Sequence, residues 1–153
     1  MWYTAGMTTI YLDTCSLHRP VDDKSHGRIA VEAEAILAVL ALCETGAVSL
    51  ISSAVIDFEV DRNPHPQRKA FVLGVLASAP QTLALTEAIR QRAKTLEATG
   101  FRALDALHLA VAEAGRVTYF CTCDDRLLKK AKTRTDIILR VVSPLELAQE
   151  VLP

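Results

Sequence analysis

The chain has 153 residues, of which half are hydrophobic and only 5% aromatic, and its formal net charge is −1. That length supports one domain with a sizeable core, and the balanced charge excludes a globally basic nucleic-acid binder while leaving room for a local basic face. No apolar run approaches the ~20 residues of a membrane span, and the opening MWYTAGM lacks the charged and apolar regions of a signal peptide. A cytoplasmic protein with no membrane partner is expected. Met7 is a plausible alternative start, which makes residues 1–6 a possible extension of a single domain that otherwise runs through 1–153.

Thr8 to Leu12 is β-branched, aromatic or apolar and reads as a buried strand that ends on Asp13, with the hydroxyls of Thr14 and Ser16 close behind. A polar segment, HRPVDDKSHGR, follows over 18–28. Ile29, Ala33, Ile36, Leu37, Leu40 and Cys43 then fall on one helical face, and Gly46 is a natural stop. AVSLIS (47–52) is a short strand. Ser52 or Ser53 caps a helix through AVIDFEVDR, which Pro64 and Pro66 end. A helix is predicted over 67–78, a short strand at TLAL, and helices over 86–100 and 102–115, the second almost wholly apolar. VTYFCT (117–122) is a strand, DDRLLKKAKT opens a helix, and DIILRVV (136–142) is a strand. SPLE (143–146) has the pattern of a capping box, Ser at N-cap and Glu at N3, and opens a last helix to Val151. Strands that are solid apolar runs, alternating with helices, predict an α/β fold with a mainly parallel sheet of about four or five strands covered on both faces.

Four carboxylates break this hydrophobic logic: Asp13 after the first strand, Glu59 in the helix after the second, Asp105 amid Ala103, Leu104, Ala106, Leu107 and Leu109, and Asp124 after VTYFCT. Each has a structural explanation alone. Asp13 and Asp124 can cap helices, Glu59 can share a solvated face with Asp57 and Asp61, and Asp105 can favour a helix dipole. Taken together they point to a site. In a parallel sheet the ends of the first strand and of VTYFCT lie on one edge, where open α/β sheets place their ligands. A desolvated carboxylate must be paired, protonated or bound to a cation. Oxygen-only donors suit Mg²⁺ or Mn²⁺.

IYLDT at 10–14, the acid within SSAVIDFEV, LDALHLAVA at 104–112 and FCTCDDRLL at 120–128, in this order, resemble the PIN domain family from about Thr8 to about Pro144. The resemblance implies a Rossmann-like three-layer α/β/α sandwich and Mg²⁺- or Mn²⁺-dependent hydrolysis of RNA, as in VapC-like toxins of toxin–antitoxin pairs. It implies a metal cluster of Asp13, Glu59, Asp105 and Asp124. Asp57 and Asp61 compete with Glu59, and Asp125 can share the last position. Thr122 matches the hydroxyl of the family's T-x-D and would orient a carboxylate, as Thr14 and Ser16 can. The partners implied are a single-stranded RNA substrate, an antitoxin and a second copy of the chain.

Substrate grip must come from cations. Arg19, Lys24 and Arg28 in the first polar segment and Arg126, Lys129 and Lys130 after Asp124 are candidates, with Arg62, Arg68 and Lys69 around the prolines. Ordinary surface duty is the competing explanation for each. His108, three residues after Asp105, can be a ligand or general base, but a core histidine with satisfied ring nitrogens is the favoured reading. His18 and His26 are expected in a loop near the site mouth. Cys121 and Cys123 form a CxC on an expected strand, and reduced, partly buried thiols are favoured over zinc. A phospho-acceptor or aspartate-nucleophile phosphatase fits poorly, since position 15 is Cys15 where the D-x-D signature needs an acid. The rival to an enzyme is a non-catalytic module of the same fold that binds nucleic acid or a partner.

Overall fold

The computed structural model describes residues 6–153; the possible extension falls, for residues 1–5, outside the described residues. The elements run β1 (Thr9–Leu12), α1 (Thr14–His18), α2 (Gly27–Thr45), β2 (Ser49–Ser53), α3 (Ala54–Asp61), α4 (Pro66–Leu76), β3 (Gln81–Leu83), α5 (Glu87–Ala98), α6 (Ala103–Ala114), β4 (Tyr119–Cys121), α7 (Asp125–Lys132), β5 (Arg140–Val142) and α8 (Pro144–Val151), with a 3₁₀ turn at Arg19–Val21. The five strands form one parallel sheet in the order β3-β2-β1-β4-β5. Consecutive residues Ile10, Tyr11 and Leu12, and Phe120 and Cys121, are fully buried, so both faces of the sheet are covered. Across the centre Ile10, Tyr11 and Leu12 stand opposite Tyr119, Phe120 and Cys121. Tyr11 and Phe120 stack on one face, their ring centroids 5.4 Å apart.

Helix α2 packs on α8, and α5 packs on α6, which also meets α3. Gly46, at φ 83°, ends α2 in a left-handed turn. There Gly46 N donates to Cys43 O and Ala47 N to Leu42 O, the paired bonds of a Schellman stop. Ser143 and Glu146 form the capping box expected for α8. Among the described residues no helix is long and apolar enough to cross a membrane.

The structure departs from the sequence reading in several elements: VTYFCT forms a strand only over Tyr119–Cys121, which leaves Cys123 beyond it. The polar segment is preceded by a five-residue helix, α1, which Asp13 caps and which is too short to show a hydrophobic period. The last strand is shorter than DIILRVV: β5 begins at Arg140, because Asp136 is held back by Arg134 at 2.8 Å and Ile138 is exposed.

Candidate functional site

The two central strands, β1 and β4, run outward from the point where the chain order of the sheet reverses, the position at which open α/β sheets form a crevice at their carboxyl ends. Asp13 leaves β1 there, its N–H donating to Cys121 O at 3.1 Å. Its Oδ1 accepts from Ser16 N and from the Cys15 thiol, both at 3.1 Å. Asp124 leaves β4 three residues past Cys121, and its Oδ1 accepts from Arg126 N at 2.9 Å and Leu127 N at 3.2 Å. Both aspartates therefore cap helices, as the bland reading has it, but each cap occupies one oxygen. The other oxygen of each carboxylate has no hydrogen-bond partner among the described residues. Thr122 accepts from Asp124 N at 3.0 Å and is buried, so it shapes the turn carrying Asp124 and leaves the carboxylate free to point outward. Ser16 ties α1 to β4 through Cys121 O at 3.2 Å.

Asp105 stands in the first turn of α6, half-buried, with no hydrogen-bond or ion-pair partner among the described residues. Burial pushes its carboxyl above the usual range, and the charges of Asp124 and Asp13 push it further. Asp13 and Asp124 thus lie near enough for their charges to act on Asp105. Asp105 and Asp124 share a cavity of about 400 Å³ with Phe101, Arg102, Arg126 and Lys130.

Glu59 is turned inward on α3, while Asp57 and Asp61 are exposed and Asp61 reaches Lys69 at 3.6 Å. Thr14 donates to Glu59 Oε1 at 2.7 Å, and His108 Nε2 pairs with the same oxygen. Burial works to raise the Glu59 pKa, but the hydrogen bonds from His108 and Thr14 outweigh it and hold the carboxyl below its ordinary value. Glu59 lines a second cavity, of about 610 Å³, with Thr14, His18, Asn63, His65 and Arg68. His108 is a buried histidine with both ring nitrogens satisfied, the second by Tyr11 Oη at 2.6 Å. The favoured reading of a satisfied core histidine describes it, with the addition that one partner is an acid of the site. His18 is buried at the end of α1, bonded to Thr14 O and to Asn63 Nδ2, both at 2.8 Å. His26 is the N-cap residue of α2.

The remaining candidates are engaged elsewhere. Asp125 gives both oxygens to Arg28 at 2.7 Å. Arg19 is drawn to the buried Glu32 at 3.1 Å and to Asp22 at 3.0 Å, and Lys24 donates to Pro20 O at 2.5 Å. Of the cations expected to grip substrate, Arg126, Lys129 and Lys130 open onto the cavity of Asp105 and Asp124. Arg102 in the same wall was missed, although an arginine directly before an apolar helix bearing a lone acid is a signal that could have been read. The four cysteines are free thiols.

An oxygen-preferring divalent ion suits this donor set in its chemistry: three aspartates, one unpartnered among the described residues and two with an oxygen to spare. Among the described residues, however, no three His, Cys, Asp or Glu side chains are grouped so as to hold a metal ion. Glu59 and Asp125 already have cationic or donor partners.

A family model described as PIN domain matches residues 10–133. No curated protein matches the sequence. Solved structures share the fold, three of them as follows. FitAcB from Neisseria gonorrhoeae is 20% identical with a TM-score of 0.58, covering 89% of this chain and 98% of that one. VapBC2 from Rickettsia felis, bound to a DNA fragment from their promoter, is 13% identical with a TM-score of 0.60 and covers 89% and 98%. PAE2754 from Pyrobaculum aerophilum is 15% identical with a TM-score of 0.57 and covers 97% and 94%.

Proposed function

The chain belongs to the PIN domain family, and from that premise we propose that it is a divalent-metal-dependent endoribonuclease acting on single-stranded RNA, the toxin of a toxin–antitoxin pair. The observation that carries this reading is Asp105, half-buried and unpartnered among the described residues, sharing a cavity with Asp124 and within reach of the charge of Asp13, at the ends of the two central strands. These three carboxylates would hold Mg²⁺ or Mn²⁺. Bound there, the ion supplies a Lewis acid that acidifies water and polarises a phosphoryl oxygen.

The chain's own groups do the rest. The capping bonds from Ser16 N and from Arg126 N and Leu127 N fix the planes of Asp13 and Asp124, so little reorganisation accompanies binding. Arg126 and Arg102, with Lys129 and Lys130, line the adjoining cavity and would neutralise phosphates. Glu59, kept ionised by His108 and Thr14, would act on the other side of Asp13, toward the leaving oxygen or a second ion.

Cleavage of a single-stranded RNA with Mg²⁺ or Mn²⁺, against the same reaction in EDTA, tests the proposal. Loss of cleavage on chelation is expected, and cleavage that survives chelation and ignores added Mn²⁺ overturns the mechanism. The second reading, a non-catalytic binding module, is favoured by the absence of a closed ligand shell among the described residues. RNA that is bound but uncut at every Mn²⁺ concentration selects it. Exposed Val31, Leu37, Phe58 and Leu73 supply apolar surface for an antitoxin or a second copy. We expect a homodimer at micromolar concentration, and a monomer mass by light scattering across that range counts against it.

A further inference from the structure

Below Glu59 a chain of hydrogen bonds runs through the sheet. Ile56 N donates to Ser53 Oγ at 3.1 Å, Ser53 Oγ lies 2.7 Å from Tyr11 Oη, and Tyr11 Oη lies 2.6 Å from His108 Nδ1. His108 Nε2 then meets Glu59 Oε1. Tyr11, Ser53 and His108 are all buried, so each proton must go to a protein partner.

Only one direction satisfies every group. The Ile56 N–H can only donate, so Ser53 accepts from it and passes its own hydroxyl proton to Tyr11. Tyr11 then donates to His108 Nδ1, and the ring proton is left on Nε2, facing the carboxylate. Reversing the chain with a neutral ring sets the bare Nε2 lone pair against Glu59. Reversing it with a charged ring leaves the Ser53 proton with no acceptor among the described residues. Tyr11 sits mid-strand in β1, at the far end of the imidazole from Glu59, and its ring position is fixed by the stack on Phe120.

We infer that Tyr11 is a positioning residue, which fixes the Nε2–H tautomer of His108 and through it the orientation of the Glu59 carboxylate. This rests on the proposal that Glu59 takes part in the reaction. The logic is that of a buried group holding a histidine in one tautomer so that its other nitrogen serves the site. Both donors to Glu59, His108 and Thr14, fall on Oε1, so that oxygen is committed to them and Oε2 has no hydrogen-bond partner among the described residues.

The test uses the full chain and three variants: Tyr11→Phe, which keeps the stacked ring, His108→Gln, whose amide nitrogen can donate from near the Nε2 position without a tautomer, and the double variant. Nitrogen-15 NMR of the histidine rings in the metal-free parent should show the Nε2–H form at His108, and Tyr11→Phe should mix the two forms. In RNA cleavage Tyr11→Phe should lower kcat by about 10–100-fold with little change in KM. The same change in the His108→Gln background should cost almost nothing, a coupling that general destabilisation does not produce. An Nδ1–H form at His108 in the parent overturns the inference, as does an equal fall in kcat in both backgrounds. The tautomer is read without activity, so a parent that shows Nε2–H but cuts no RNA refutes the ribonuclease reading and not the hydrogen-bond chain.

Discussion

Arg28 grips Asp125 through two hydrogen bonds of 2.7 Å, one to each carboxylate oxygen. Its neighbour Asp124 meanwhile turns into the cavity shared with Asp105. Two adjacent aspartates at the start of one helix thereby have separate duties, one fastening α7 to α2 and the other facing the crevice.

The first prediction separates them. Asp124→Asn should abolish cleavage and weaken Mn²⁺ binding, while Asp125→Asn should leave both close to the parent, because the pair it breaks is exposed and screened. Isothermal titration with Mn²⁺ and an RNA cleavage assay on both variants check this. Equal losses would place Asp125 in the metal set.

Arg19 and Arg126 should fail differently. Glu32 is only 3% exposed, and Arg19 at 3.1 Å is its closer partner, with the more exposed Arg28 at 3.4 Å. Arg19→Ala should cost about 3 kcal/mol of stability by leaving a buried carboxylate poorly paired. Arg126→Ala should leave the melting temperature unchanged, raise KM, and flatten the log–log salt dependence of binding to single-stranded RNA by about 0.7. Urea unfolding and filter binding across a salt series distinguish the two. A stable Arg19→Ala with weakened RNA binding would return Arg19 to the substrate path.

Much of this was legible because the signals are local. The apolar runs of β1, β2 and β4, the stop at Gly46 and the cap at Ser143 are written within a few residues each. Asp105 was conspicuous because nearly every neighbour on its helix is apolar. What could not be read depends on groups far apart in the chain. Asp124 and Asp125 are alike to any local rule, and the choice between them is made by Arg28, 97 residues away. Tyr11 looked like core because it is core, and its bond to His108 spans 97 residues. The basic candidates Arg19 and Lys24 carried charge in the sequence without revealing that Glu32 and a backbone carbonyl would claim them.

The Thr14 hydroxyl, at 2.7 Å from Glu59, gives a third prediction. Thr14→Val preserves shape and removes the donor, so one of the interactions that hold the Glu59 carboxyl below its ordinary value is lost. A carboxyl depressed in the folded state contributes stability above its unfolded pKa and loses it as pH falls through the folded value. Thr14→Val should therefore be less stable than the parent at pH 7, by about 1 kcal/mol, with the gap closing in acid. Chemical denaturation at pH 7 and pH 3 reads this, and a gap that persists unchanged at pH 3 would mean the hydroxyl acts on something other than Glu59.

Asp105 gives the prediction with the opposite sign. In the metal-free chain burial, then Asp124 and Asp13, push its carboxyl above the ordinary range. Such a group holds its proton more tightly folded than unfolded. Between the two pKa values the folded chain carries more protons, so stability falls as pH rises through that window and stays reduced above it. Asp105→Asn removes the ionisation. In EDTA the variant should melt with the parent below the usual carboxylate range and above it, by about 1–3 °C, at pH 7. In Mn²⁺ the order should reverse, because the parent gains by mass action and the variant does not. If Asp105 served only the dipole of α6, the variant would melt lower at pH 7 in EDTA, since Asn lacks the charge that the helix N-terminus favours. Melts of both proteins at acid and neutral pH, each in EDTA and in Mn²⁺, decide the matter. A variant that melts lower in EDTA yet keeps the parent's full Mn²⁺ shift would remove Asp105 from the site.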